Sequence, residues 1–356
     1  MRTLKLFLLL LLSSLIGCSK DDDSTTPVTD TTMYFPSNTD ADWETTSMAS
    51  LGWNENQVQP LKDYLFQKNT KSFMILVNGR IVMEEYFDGH SPTATWQWNS
   101  AGKTLVSETT GIAQQEGLLS INNKVSQYIG NGWTSAPQEK EDLINISHLL
   151  TMTSGLSDTQ LVIPSNLTYL EDAGNRWSYS NVFQKLMDVV AASSNQSFEN
   201  YFNAKLKNKI GMEGFWNNGV IFKIYHSNTR SMARFGLLAL NNGKWNNEQI
   251  INETFFNASR TTSQNINPSY GYFWWLNGKS SYMIPGGQTV FPGFLVPNAP
   301  ADMYAAMGAE DQRIYVIPSK KMVIIRMGNA SDPSNPSFAL SGFDNELWGK
   351  INAVIN

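Results

Sequence analysis

The sequence predicts a mixed α/β fold, with strand-forming segments near both ends of the chain and a helical middle. Three observations support this prediction. Asn78-Gly79 separates two strand-like runs and is a strong signal for a two-residue hairpin. Residues 117–219 are rich in helical patterns and loops, and several strand-like runs follow residue 270. With 356 residues, 41% of them hydrophobic and 12% aromatic, the chain can bury a sizeable core.

The individual elements follow from local periodicity. Trp53–Lys68 is predicted to form an amphipathic helix, because Val58, Leu61, Tyr64 and Leu65 recur at helical spacing. The remaining predicted elements are, in chain order, strands at 73–77 and 80–87, helices at 100–116, 180–192, 197–209 and 228–241, strands at 270–275, 303–307, 313–317 and 322–327, and a helix at 344–355.

The stretch Ser100-Ala101-Gly102-Lys103 carries the most chemical information. Residues three apart share one face of a helix, so Lys103 lies one turn beyond Ser100. In a first turn the serine oxygen meets the positive end of the helix, and the amine is close enough to take its proton. Such a pairing activates serine without histidine. The pattern alone is weak evidence, because a chain of this composition contains about one S-x-x-K by chance.

Other segments resemble the serine β-lactamase and penicillin-binding-protein superfamily, in its class C β-lactamase and esterase branch. Ser147–Leu156 is similar to that branch's "HLLTHTSGL" segment, and Tyr179-Ser180-Asn181 is similar to its second motif. The resemblance covers roughly residues 60 to 350, in the family's order. Further similar segments are Lys103–Leu105, Gly111–Ala113, Glu116–Leu119, Met232–Leu238 and Tyr270–Trp275.

The resemblance implies an α+β fold, in which an antiparallel β-sheet is flanked by helices and carries an inserted, mainly helical domain. The hydrolase domain would span residues 46–356, with the α/β part at about 46–116 and 220–356 and the helical part at about 117–219. The active site would lie in the cleft between the two parts, a usual place for a ligand pocket.

The resemblance also implies a role for each motif residue. Ser100 would be the nucleophile, Lys103 and Tyr179 would share the proton transfers, and Asn181 would position the substrate. A phenol near a cationic amine is a sensible proton carrier. The pattern Y-x-N also occurs at Tyr201–Asn203, but that copy lies within a helical pattern and is interpreted as packing. Whether Lys103 or Tyr179 is the base in acylation stays open.

The third motif departs from the β-lactamases, whose Lys-Thr-Gly recognises the substrate carboxylate. The closest placement puts Ala306-Met307-Gly308 over that triad, so only the glycine is retained. Gly308 is therefore a predicted substrate-binding residue, and the amides of Ser100 and Ala309 could still form the oxyanion hole. The neighbouring Glu310 and Asp311 would repel an anion if they face the cleft, although a solvated turn is the favoured interpretation.

Aromatic residues crowd the sequence near these motifs. Most are interpreted as core packing, the usual destination of aromatic side chains. Trp98, two residues before Ser100, is kept as a candidate wall residue for the acyl side of a substrate.

Composition argues against several other functions. A net charge of −5 argues against nucleic acid as the main partner. His90, His148 and His226 stand far apart and the chain has one cysteine, so neither a metal site nor a cofactor is predicted. No G-x-S-x-G nucleophile elbow occurs, and no histidine has the context of a Ser-His-Asp triad.

The N-terminus predicts a lipoprotein of the bacterial cell envelope. A basic start at Met1–Lys5 and an apolar run at Leu6–Ile16 form a signal peptide over residues 1–18. Leu15–Cys18 resembles the lipobox, in which the cysteine is lipidated; an ordinary signal peptide with an incidental cysteine is the alternative. Residues 19–45 are predicted to be a flexible tether. Their acidic start, Ser19–Asp23, resembles a surface-export signal of Bacteroidetes lipoproteins or is a solvated linker, so periplasmic and surface-facing outer-membrane locations both stay open.

Together these observations predict a membrane-anchored serine hydrolase that acts through an acyl-enzyme on a small ester or amide. A D-amino-acid peptide or a cell-wall fragment fits this description. A β-lactamase or D-alanyl-D-alanine carboxypeptidase is the alternative enzyme, disfavoured by the missing third-motif lysine. A catalytically idle lipoprotein that binds a glycan or peptide is the alternative from a different class. Intact Ser100, Lys103, Tyr179 and Asn181 argue against it, because binding alone would not require all four.

The lipid anchor can be tested by fractionation. Cys18→Ala should move the protein from the membrane pellet to the soluble fraction, because acyl chains on Cys18 would be the strong membrane-binding element. Retention of the whole variant population in the membrane pellet would contradict the lipoprotein prediction.

Overall fold

The computed structural model describes residues 32–39, 42–218, 223–334 and 342–356. The predicted signal peptide, including Cys18, lies outside these residues, as does the first part of the predicted tether. Thr31–Asn356 form one compact unit. No helix in the described ranges combines the length and the apolar content needed to cross a membrane.

The described chain contains both strands and helices, with a run of helices in its middle and a run of strands near its C-terminal end. The strands are β1 (Thr70–Val77), β2 (Arg80–Tyr86), β3 (Trp96–Gln97), β4 (Phe215–Asn218), β5 (Lys223–Ser227), β6 (Lys244–Trp245), β7 (Glu248–Gln249), β8 (Trp275–Leu276), β9 (Ser281–Met283), β10 (Val290–Pro292), β11 (Tyr304–Gly308), β12 (Gln312–Ile317) and β13 (Met322–Gly328). The helices are α1 (Val58–Gln67), α2 (Lys103–Gln115), α3 (Ser126–Ile129), α4 (Gln138–Glu141), α5 (Ile146–Leu150), α6 (Lys185–Ser194), α7 (Phe198–Phe202), α8 (Thr229–Leu240), α9 (Glu253–Ser259) and α10 (Gly342–Ile355).

A six-stranded antiparallel sheet, in the order β2-β1-β13-β12-β11-β8, forms the centre of the fold. Consecutive residues of β1, Phe73–Leu76, are fully buried, so both faces of the sheet are covered. Helix α8 packs closely on the sheet, because a Cβ at Gly236 would lie 2.5 Å from the side chain of Val323. Helices α1 and α10 pack on one another, and α1 also packs on β1. The predicted antiparallel sheet flanked by helices is confirmed.

The predicted hairpin has the expected geometry. Asn78 and Gly79 have φ values of 49° and 81° between β1 and β2, which is typical of a type I′ turn. Most other predicted elements are present with their ends shifted by a few residues. Strand β4 lies at the end of the stretch of about 117–219, which is predicted to be mainly helical with loops, and pairs with β5. That stretch otherwise contains helices α3–α7.

The predicted strand at 270–275 is wrong, because only Trp275 belongs to a strand there, β8. Phe273 has a positive φ of 67°, and the Gly271 N–H bonds back to Trp274 O, so the chain turns. Tyr270, Phe273, Trp274 and Trp275 are buried although the chain does not follow strand alternation here. Trp274, for example, donates from Nε1 to the buried carboxylate of Glu108 over 2.9 Å.

The predicted tether ends earlier than residue 45. The Tyr34 N–H donates to Asn78 O over 2.9 Å, and Thr45 forms a parallel bridge with Ile81. Trp43 is 8% exposed and donates from Nε1 to Gly79 O over 2.7 Å. The described part of 33–45 therefore packs on the hairpin and belongs to the folded domain. Sequence composition missed this contact because it depends on a partner 36 residues away.

The packing of this segment predicts a stability effect. Trp43→Ala should lower the free energy of unfolding by about 3 kcal/mol, because it removes a buried aromatic side chain and leaves a cavity. The matched control is Phe66→Ala, whose side chain is 58% exposed and whose loss should cost less than about 0.5 kcal/mol. Denaturant unfolding measures both, and equal values for the two variants would contradict docking of the segment.

Candidate active site

Ser100 lies in a 3₁₀ turn, Asn99–Gly102, that runs directly into α2. Asn99 has a positive φ of 48°, an uncommon conformation that turns the chain between β3 and Ser100. Lys103 is the first residue of α2, and its Nζ donates a hydrogen bond to Ser100 Oγ over 2.7 Å. The structure therefore brings the predicted serine and lysine into direct contact.

Burial controls the charge of Lys103. The residue is 4% exposed, and this loss of solvent lowers the pKa of its amine to about 7. The ring centroids of Tyr179 and Phe183 lie 4.7 and 4.5 Å from Nζ, an arrangement that favours the cation. Desolvation is the cause of the downward shift in this pKa. A large share of the amine is therefore neutral at pH 7 and can accept a proton from serine.

Tyr179 completes the group around the serine. Burial raises the pKa of its phenol to about 12, although a hydrogen bond with Ser100 acts in the opposite direction. The ring is held by Trp177, Tyr270 and Trp275, whose centroids lie 6.1, 6.1 and 5.7 Å away. At neutral pH this phenol is protonated, so it can donate a proton or a hydrogen bond at the serine oxygen.

Asn181 begins a 3₁₀ turn, Asn181–Gln184, two residues after Tyr179. Its Nδ2 donates to both the main-chain O and the side-chain Oε1 of Gln160, each over 3.0 Å. The amide of Asn181 is therefore oriented by the loop that follows Leu156. Sequence reasoning missed Gln160, because no spacing rule connects a loop residue to an asparagine 21 positions later.

The end of β11 lies against the turn that carries Ser100. A Cβ at Gly308 would lie 2.4 Å from Trp98 O and 3.1 Å from Ser100 N, so this close approach requires glycine. Ala306, on the same strand, is fully buried and supplies no polar group. The predicted third motif is thus next to the serine and has no cation of its own.

The N–H groups of Ser100 and Ala309 belong to the two backbone segments that meet here. Asn99 Nδ2 donates to Ala309 O over 2.9 Å and ties the end of β11 to the serine turn. In the turns and loops that the structure describes, neither the Ser100 N–H nor the Ala309 N–H donates to a backbone acceptor. An oxyanion hole formed by these two groups stays a prediction.

The favoured prediction of a solvated acidic turn is wrong for Asp311. It is buried, forms an ion pair with Arg313 over 2.8 Å and accepts from the Ser331 N–H over 2.9 Å. Burial raises the pKa of Asp311, but Arg313 and Ser331 outweigh it and leave the pKa below its ordinary value. Glu310 remains half-buried and accepts from Gln97 Nε2 over 2.8 Å. Asp311 therefore has a structural partner and does not face solvent.

The wall of the serine cavity differs from the prediction. Trp98 is 0% exposed and donates from Nε1 to Ser227 Oγ over 2.8 Å, so it is a core residue and not a cavity wall. A small cavity at the serine is lined by Asn99, Ser100, Gly102, Lys103, Phe183, Trp216 and Lys223. Phe183 and Trp216 were missed because aromatic residues are most often core and neither belongs to a motif.

Titratable residues elsewhere in the described ranges do not form a metal centre, since no group of three or more His, Cys, Asp or Glu side chains is placed to hold an ion.

Most of the chain is similar to known proteins. The family model described as Beta-lactamase matches residues 65–340 of the chain. No curated protein sequence matches the chain. Several solved structures share the fold. One is a Bacillus anthracis protein provisionally named a 6-aminohexanoate-dimer hydrolase, with 17% identity over 90% of this chain and 88% of that one and a TM-score of 0.67.

Two other similar structures are a class C beta-lactamase and a penicillin-binding protein from Bacillus halodurans. The first has 18% identity over 84% of this chain and 95% of that one, with a TM-score of 0.61. The second has 14% identity over 82% of this chain and 99% of that one, with a TM-score of 0.57. At these identities the likeness establishes a shared fold.

Proposed function

Because the chain belongs to the beta-lactamase family, within the serine β-lactamase and penicillin-binding-protein superfamily, we propose that it is a serine hydrolase. It acts through an acyl-enzyme on a small ester or amide. The observation that carries the proposal is the 2.7 Å contact between Lys103 Nζ and Ser100 Oγ in a buried setting. Binding alone would not require a buried amine in contact with a serine hydroxyl.

In the acylation step, Ser100 Oγ attacks the substrate carbonyl carbon and its proton passes to the neutral amine of Lys103. The carbonyl oxygen becomes an oxyanion, which the N–H groups of Ser100 and Ala309 stabilise. Tyr179, protonated at neutral pH, donates a proton to the leaving alcohol or amine and recovers one from Lys103. The C–O or C–N bond breaks and leaves an ester on Ser100, which water hydrolyses by the reverse sequence of proton transfers.

The substrate is proposed to be neutral near the reacting carbonyl. Ala306 stands where the family has lysine, and it is buried and apolar. Arg313 cannot replace that lysine, because Asp344 and Asp311 already pair with its buried guanidinium. A β-lactam or D-alanine-terminated peptide would therefore lack its usual carboxylate partner. Asn181, oriented by Gln160, would position the acyl portion, for which a D-amino-acid peptide or cell-wall fragment remains a candidate.

The proposed location is the bacterial cell envelope, with the domain held to the outer membrane by lipid on Cys18. The lipobox-like segment supports this location, and a cell-wall fragment as substrate would be consistent with it. A membrane contact through the lipid anchor and a small-molecule substrate are the partners it implies.

The pH dependence of hydrolysis tests the role of Lys103. Only the neutral amine accepts the serine proton, so kcat/KM should fall about tenfold per pH unit below the pKa near 7 and level off above about 8. Lys103→Arg should remove activity throughout, because arginine stays charged. Tyr179→Phe should lower the rate and leave the midpoint near 7. A rate that still rises steeply above about pH 9 would assign the base to Tyr179 instead.

The relative rates on a neutral and an anionic substrate test whether the site lacks a cation for a carboxylate. A short-chain p-nitrophenyl ester should be hydrolysed with a higher kcat/KM than a chromogenic cephalosporin. A hydrogen bond to a charged group contributes about 1.5–3 kcal/mol, so its loss should lower kcat/KM for anionic substrates roughly ten- to over a hundredfold. Ser100→Ala is the control and should hydrolyse neither compound while melting near the wild-type temperature.

Faster hydrolysis of the cephalosporin would contradict this ranking and would assign carboxylate binding to a cation outside the third motif. Lys223, which lines the serine cavity, is the residue to mutate in that case. Absence of turnover and of covalent labelling in the wild type would favour the catalytically idle binding protein.

A further inference from the structure

The turn after β11 has all of its carbonyl groups held by side-chain donors. Arg313 Nη1 donates to Gly308 O over 2.8 Å, and Asn99 Nδ2 donates to Ala309 O over 2.9 Å. Arg326 Nη1 donates to Glu310 O and Asp311 O over 2.7 and 3.1 Å, and Gln312 Nε2 donates to Glu310 O over 2.9 Å.

This arrangement holds an unusual backbone. Glu310 and Asp311 both have a φ of 58°, a conformation that residues other than glycine adopt at a cost of about 1–3 kcal/mol each. Such strain persists only where surrounding contacts over-determine the backbone. The donors to the four carbonyl groups are those contacts, so the direction of each peptide in the turn is determined.

One of these peptides matters for the proposed chemistry. Gly308 O and the Ala309 N–H belong to the same peptide group, which is trans, so the N–H points away from the Arg313 guanidinium. A charged donor on the carbonyl oxygen draws electron density from the peptide and makes its N–H a stronger donor. This N–H directly follows Gly308 in the chain, and Gly308 is packed against the Ser100 turn.

We propose that Arg313 is a positioning residue, which orients and polarises the Gly308–Ala309 peptide so that its N–H stabilises the oxyanion. The inference rests on the proposed function, because it requires an oxyanion at Ser100. The inference gives the buried charges of Arg313, Asp311 and Asp344 a role in transition-state stabilisation in addition to their role in folding. Substrates need not touch Arg313.

The surroundings of Arg313 suit this role. Its guanidinium is fully buried and makes a bidentate pair with Asp344 of α10, with Nε–Oδ1 and Nη2–Oδ2 distances of 2.6 and 2.9 Å. Nη2 also donates to Asp311 over 2.8 Å. Nη1 donates to Gly308 O over 2.8 Å and to Gln312 O over 3.0 Å, and the low local dielectric strengthens both hydrogen bonds.

Arg326 provides a matched comparison. It is also a fully buried arginine of the central sheet, adjacent to Arg313 in the register of β12 and β13. Its Nη1 bonds to the carbonyls of Glu310 and Asp311, whose peptides carry the N–H groups of Asp311 and Gln312. Those peptides are further along the turn than the one that borders Ser100. A lysine at either position keeps the charge and loses the planar fork.

The test compares Arg313→Lys with Arg326→Lys in the full-length protein, using p-nitrophenyl acetate turnover and thermal unfolding. Arg313→Lys should lower kcat by about tenfold with KM unchanged within about twofold, a smaller loss than the 10²–10³ caused by removal of an oxyanion-hole donor. Both variants should lower the melting temperature to a similar extent. Arg326→Lys, however, should change kcat by less than about threefold. Labelling by a fluorophosphonate should slow in parallel with kcat.

Equal losses of kcat in the two variants would overturn the inference, because they would indicate general loosening of the turn. Unchanged kcat in Arg313→Lys would also overturn it. A wild-type protein that neither hydrolyses the ester nor reacts with the fluorophosphonate would instead overturn the proposed function, and the inference with it.

A second variant covers the case in which Arg313→Lys does not fold. Asp344→Asn keeps the guanidinium in place and weakens the pair that orients it. It should lower kcat by a smaller factor, about threefold, with KM unchanged. A fall in melting temperature with no change in kcat would overturn the inference.

Discussion

The contact between Lys103 and Ser100 is the interaction on which the rest of the site depends. An amine one turn from a serine is useful as a base only if it loses its proton near neutral pH, and burial is what lowers its pKa. Burial in turn requires α2 to lie inside the molecule, and Lys103–Ala113 are buried along its length. The contacts of α2 with α6 and α9, and the rings of Tyr179 and Phe183, exclude water from the amine.

The proposed chemistry also requires an electropositive edge opposite Ser100. In the proposed site this edge is built from backbone and not from a lysine, since Ala306 is a buried apolar residue and Gly308 allows β11 to approach Ser100. The charge that supports the edge lies beneath the turn, where Arg313 and Arg326 pair with Asp311 and Asp344 or bond to main-chain carbonyls. A buried cluster of this kind is costly to break, because removal of one partner leaves an unpaired charge.

Features determined by neighbours in sequence were predictable, and features determined by distant contacts were not. Asn78-Gly79 identified the hairpin, and the spacing of Ser100 and Lys103 placed both on one turn, because turn type and helical spacing are local properties. Docking of Trp43 on Gly79 was missed, since a polar composition suggested a tether. The sequence next to Asp311 does not indicate that Arg313 is buried, so the ion pair between them was not predictable. The contact of Asn181 with Gln160 was not predictable either, because no local rule connects the two positions.

The most direct test of the account is the mass of the protein after treatment with a fluorophosphonate probe. The wild type should gain the mass of one phosphonyl adduct, and peptide mapping should place it on Ser100, while Ser100→Ala gains none. An adduct on a different serine, or an unmodified wild-type protein that is shown to be folded, would contradict the assignment of Ser100 as the nucleophile.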